Sequence, residues 1–91
     1  MALTPAQTWL SERFRAVPDA LRVRLQRVLT HYGDSGHPAD VFGRLSRITV
    51  GELRGDVSRD DALTLLAADA FATYACEAAA DLDPRRLADL R

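Results

Sequence analysis

A chain of 91 residues leaves room for one hydrophobic core, since domains run from roughly 50 to 250 residues. Its 47% hydrophobic and 27% charged residues exclude a disordered or fibrous chain. Twelve basic and thirteen acidic side chains leave a net charge of -1, which argues against the basic excess of a dedicated nucleic-acid binder.

Few β-branched residues occur and no segment alternates apolar with polar, so the whole chain reads as helical. The start, Met1-Ala2-Leu3-Thr4-Pro5, has neither the basic end nor the apolar run of a signal peptide. Leu3-Thr4-Pro5-Ala6-Gln7 is instead a capping signature: Thr4 accepts from first-turn amides, Pro5 lacks an N–H there is no need for, and Gln7 reaches back. The first predicted helix puts Ala6, Trp9, Leu10, Phe14 and Val17 on one face and ends before Pro18. The second opens at Pro18-Asp19 and buries Leu21, Leu25, Val28, Leu29 and Tyr32, with Arg22, Arg24 and Arg27 off that stripe. Gly33 is its expected stop, and Gly33 to Pro38 is a loop rich in turn formers.

The third predicted helix begins at Pro38 and turns Val41, Phe42, Leu45 and Ile48 inward. Gly43 and Gly51 each cost about 1 kcal/mol relative to alanine. The helix therefore either breaks near Thr49 or runs on to Leu53. Ser58 caps the fourth helix, with Asp60 and Asp61 in its first turn where the macrodipole favours negative charge. That helix extends to about Asp81. Asp83-Pro84 marks its end or the start of a short terminal helix carrying Leu87 and Leu90. The expected fold is a small up-and-down four-helix bundle in one domain, residues 1–91.

The residue types that carry chemistry are few. His31, Asp34 and His37 offer two imidazoles and a carboxylate, weak candidates for a metal because a site needs three converging ligands on a rigid frame. Capping roles at helix ends explain both histidines more simply. Cys76 is the single cysteine, so an internal disulfide is excluded, and no base and orienting group accompany it as a nucleophile needs. Adjacent Asp60 and Asp61 point about 100° apart on a helix and do not share a site. The expectation is a non-enzymatic protein with no cofactor.

Two stretches resemble known families. Ile48-Thr49-Val50-Gly51-Glu52-Leu53 resembles the opening of the first helix in helix-turn-helix regulators, with Val57-Ser58 where such motifs turn. The resemblance implies a DNA-binding regulator as the alternative function. Arg59-Asp60-Asp61 would then set two carboxylates against phosphates. Leu65 to Ala75 is similar to a helix of the polyprenyl synthases, whose aspartate-rich diphosphate motifs are missing from this chain.

The fourth helix is apolar almost all round. Leu63, Ala67, Ala70, Phe71, Tyr74 and Ala78 cover one face, and Ala68, Ala72, Ala75 and Ala79 form a second stripe flanked by Leu65 and Cys76. Asp69, Thr73 and Glu77 form its polar strip. Asp69 and Glu77 within Ala62–Ala80 argue against a membrane span, so a cytoplasmic protein is expected. A helix apolar on most sides is normally covered on all of them. Either a neighbouring helix covers the alanine stripe or another chain does. Leu65, Ala68, Ala72, Ala75, Cys76 and Ala79 are thus the candidate interface of a homodimer or protein-interaction module, with no membrane or nucleic-acid partner. Residues 1–54 carry an excess of three arginines over acids and residues 55–91 an excess of four acids. That asymmetry suits pairing of the fourth helix with the arginines of the first two, or an antiparallel dimer.

Overall fold

The longest element is a single alanine-rich helix, and the other described helices gather along it. The structure, a computed structural model, describes residues 3–55 and 58–85. It contains α1 (Pro5–Ser11), α2 (Asp19–Tyr32), α3 (Pro38–Gly51) and α4 (Arg59–Leu82), with a 3-10 turn at Phe14–Ala16. The described residues form an all-α helical bundle, as the periodicity predicts. The suggested terminal helix with Leu87 and Leu90 lies outside them.

The ends of the helices follow the punctuation of the sequence. Thr4 and Gln7 form a complete capping box on α1. Gly33 closes α2 at φ +86°, a left-handed value that a side chain would resist. The His37 ring caps α3 by accepting the Ala39 N–H at Nδ1 (3.1 Å), and Ser58 caps α4 by accepting the Asp61 N–H (3.0 Å).

One boundary differs from expectation, and at another the helix takes the longer of the two courses left open. The first predicted helix stops at Ser11 rather than before Pro18. Arg13 folds back there, donating to the Trp9 carbonyl (3.2 Å), and the chain tightens into the 3-10 turn while Phe14 and Val17 still pack on the core. The third helix continues through Thr49 to Gly51. Thr49 is buried and its hydroxyl donates to the Leu45 carbonyl (2.6 Å); packing of this kind outweighs the cost of the glycines.

The pairing of α3 with α4 is the most extensive in the molecule. They run antiparallel: Pro38 and Leu82 line one cleft at one end, and Asp61 bonds the backbone of Arg54 and Gly55 at the other. Midway, the Ser46 hydroxyl donates to the Ala68 carbonyl (3.0 Å). A side chain as short as serine reaches a neighbouring backbone only where two helices approach closely, and alanine permits that approach. α1 and α2 cover one side of this hairpin. Leu10, Leu25 and Leu29 join Phe42, Leu45 and Phe71 in one cluster, and Phe42 touches the rings of Trp9, Phe71 and Tyr74 at centroid distances of 5.3, 6.2 and 5.9 Å. Tyr32, expected in the core, is exposed because its hydroxyl reaches out to donate to Glu52 (2.8 Å).

Phe42, fully buried at the meeting point of α1, α3 and α4, carries the first prediction. Phe42→Ala is expected to cost about 3–5 kcal/mol in chemical denaturation. Val23→Ala, on the exposed side of α2, should change stability by less than about 0.5 kcal/mol.

Candidate functional site

The six candidate interface residues of the fourth helix divide into two groups. Ala68, Ala75 and Ala79 are buried within the chain, so they do not form an open surface. The correction has a simple cause: they face the rest of the chain, and at Ala68 α3 comes near enough for Ser46 to bond its carbonyl. Leu65, Ala72 and Cys76 are exposed. Along α4 they recur at spacings of seven and four, one helical step outward from the buried stripe. Leu65 is 56% exposed and the adjacent Leu66 52% exposed. On α3, Val50 is exposed to the same degree.

Val50 and Leu65 stand on the side of the hairpin facing away from α1 and α2. The geometry follows from the Ser46–Ala68 contact. Successive helix residues turn by about 100°, and in an antiparallel pair the residues that follow Ser46 and Ala68 turn to the same side. Arg47 and Asp69 therefore both lie on this outer side, and both are exposed. Asp69 shares its strip with exposed Thr73 and Glu77, the solvent-facing arrangement expected from the sequence.

The acids at the two ends of α4 are engaged within the chain. Near its start, Arg24 donates to Asp60 and, at 2.9 Å, to the Thr64 hydroxyl. The Arg24 guanidinium, with Arg54 and Arg27 beyond it, holds the Asp60 carboxyl below its ordinary value. Asp61 is buried, and its two carboxylate oxygens accept the N–H groups of Arg54 and Gly55, both at 3.0 Å. Near the other end, Arg13 stacks on Trp9, 3.3 Å from the ring centroid. It pairs with Asp81 (2.8 Å) and Glu77 (3.2 Å), and the Trp9 indole N–H also donates to Asp81 (3.3 Å). Burial, with Glu77 adding its charge, pushes the nearby Tyr74 phenol above its ordinary value. Sequence reasoning placed Asp60 and Asp61 only as first-turn acids. The arginines left off the apolar stripe of α2 were the available signal for Arg24; nothing local announced the fork that Asp61 makes with the loop.

The loop candidates do not converge. His37 is occupied as the α3 cap. His31 is exposed and meets the Tyr32 ring edge-on at 4.6 Å. Asp34 turns one carboxylate oxygen, Oδ2, into a buried position without a hydrogen-bond partner. Among the described residues no three His, Cys, Asp or Glu side chains gather as metal ligands would. No described helix is long and apolar enough to cross a membrane. Nor do α3 and α4 meet at the roughly 90–120° of a helix-turn-helix pair: they lie antiparallel along their length, and both carboxylates of the would-be recognition helix are held by its own chain.

No protein-family model, no curated protein and no solved structure matches this chain.

The Asp60 pairing makes stability depend on pH in a defined direction. A carboxyl with a lowered folded-state value stabilises the fold above the ordinary carboxylate range, and that contribution disappears as pH falls through the lowered value. The urea midpoint of the wild type should exceed that of Asp60→Asn at neutral pH. The gap should close on acidification; a gap unchanged at acid pH would contradict the pairing.

Proposed function

We propose that this protein is a non-enzymatic helical interaction module that binds another protein chain through the outer face of the α3–α4 hairpin. The observation that carries the reading is the exposure of Leu65 and Val50 on the outer side of two tightly paired helices, with exposed Leu66 one helical step round α4 from Leu65. Burying a leucine is worth about 1.5–3 kcal/mol, and these side chains forgo it in the isolated chain. Exposed apolar side chains standing at one level of a helix pair offer another molecule a place to bind. The face is also rigid. It is built on the helices that bury the most against each other, so little order has to be created when a partner arrives.

The charged groups support the same reading. Arg13, Arg24, Asp60, Asp61, Glu77 and Asp81 are partners of one another or of the backbone. Their arrangement fixes α4 in place, a structural use that leaves the outer face free for recognition.

The reading is tested by placing a photocrosslinking amino acid at position 65 and, as control, at exposed position 20 on α2, in cells that make the protein. Protein adducts are expected from position 65, lost when Leu66→Glu is added, and none from position 20. Equal labelling at both positions, or none at either, would overturn the reading. Because Leu66 is exposed, Leu66→Glu should leave the unfolding midpoint within about 0.5 kcal/mol of wild type.

A further inference from the structure

On the outer face of the hairpin stand a cation, Arg47, and an anion, Asp69, that have no charged partner among the described residues. This sets them apart from Arg13, Arg24, Glu77 and Asp81, all paired internally. Arg47 follows Ser46 on α3 and Asp69 follows Ala68 on α4. The Ser46–Ala68 hydrogen bond (3.0 Å) fixes the register of the two helices, so the two charges stand at nearly the same level, on opposite sides of the seam. The same register sets Val50 on α3 level with Leu65 on α4, both more than half exposed.

From this register we infer that the chain on the outer face is a second copy of this protein, related by a two-fold axis running parallel to α3 and α4. The inference rests on the interaction reading above and names the partner. Such an axis keeps every residue at its own level and lays α3 of each copy over α4 of the other. Arg47 of each copy then meets Asp69 of the other, and Val50 meets Leu65, each contact occurring twice as two-fold symmetry requires. A two-fold axis crossing the helices at right angles would lay α3 on α3 and α4 on α4. Where it crosses at the level of Ser46, it would set Arg47 against Arg47 and Asp69 against Asp69, and like charges facing each other across an interface are strongly disfavoured. The pattern of charge on the face therefore matches the parallel axis, which brings opposite charges together at both places.

Sedimentation equilibrium of the wild type, Arg47→Asp, Asp69→Arg and the combined charge swap decides the matter. The wild type is expected at twice the chain mass. Each single variant sets like charges together at two places and should dissociate at least about tenfold more readily. The combined swap restores opposite charges and should recover the dimer. Added salt should weaken the wild type and the combined swap alike. Both positions are exposed, so all four proteins should share one circular dichroism spectrum and one unfolding midpoint, and a folding defect would be seen directly. Val50→Glu, at the level of Leu65, serves as a further variant and should also give monomer.

A wild type that stays at one chain mass at hundreds of micromolar would overturn the second copy as partner. If position 65 then still crosslinks to a protein of another size, the interaction reading stands and only the dimer falls; if it labels nothing, both fall. A dimeric wild type whose combined swap is as weak as the single variants would overturn the parallel axis.

Discussion

The close approach of α3 to α4 is the contact on which the rest of the structure depends. It exists because the side chains at the contact are small: Ser46 on one helix and Ala68 on the other, in a buried alanine stripe that continues through Ala75 and Ala79. Leucine-lined helices sit about 8–10 Å apart. Where alanine and serine face each other the backbones come nearer, and a serine hydroxyl can reach across to a carbonyl. The resulting hairpin presents Phe42, Leu45, Phe71 and Tyr74 to one side as a shared surface. α1, only seven residues long, could not persist as a helix by itself. It is held because Ala6, Trp9 and Leu10 have that surface to bury against.

Electrostatics refines this arrangement at its two ends. One arginine from each of the two preceding segments reaches an acid on α4: Arg24 at its start and Arg13 near its end. Exposed ion pairs contribute little, about 0–1 kcal/mol, so neither clamp explains why the protein folds. Their effect is on geometry. Arg13 lies flat on Trp9, shielding an indole that would otherwise be open on one side, and Asp81 fixes both. Asp61 acts differently. Its carboxylate is buried and receives two loop N–H groups, so it fastens the chain between α3 and α4 where the hairpin turns.

Much of the fold was legible in the sequence because its signals are local. Capping residues Thr4, His37 and Ser58, the stop at Gly33 and the apolar spacing of α2 and α3 each depend on neighbours within four positions. The errors arose where distant groups decide. Trp9 and Arg13 end α1 early through contacts with α4, more than sixty residues on. Tyr32 leaves the core for Glu52. The alanine stripe was visible as a surface that needed covering, but periodicity gives no order of packing around a helix. It could not tell that Ala68, Ala75 and Ala79 are buried within the chain while Leu65, Ala72 and Cys76 stay outside. The charge asymmetry of the two halves did carry information about pairing, and the internal pairs of Arg13 and Arg24 account for part of it. Arg47 and Asp69 are what that pairing leaves over.

Function, on this account, follows from a division of labour between the two sides of one helix pair. The inner side folds the protein; the outer side, with exposed Val50 and Leu65, is where the proposed partner would bind. The division depends entirely on which alanines of α4 meet α3, and two substitutions of identical chemistry test it most directly. Ala75 is 3% exposed and Ala72, three residues earlier on the same helix, is exposed. Denaturant unfolding of Ala75→Leu should show a loss of about 1–3 kcal/mol, because a buried contact between close helices has no room for three more carbons. Ala72→Leu should stay within about 0.5 kcal/mol of wild type. Equal losses for the two, or a larger loss at position 72, would contradict the placement of α3 on α4.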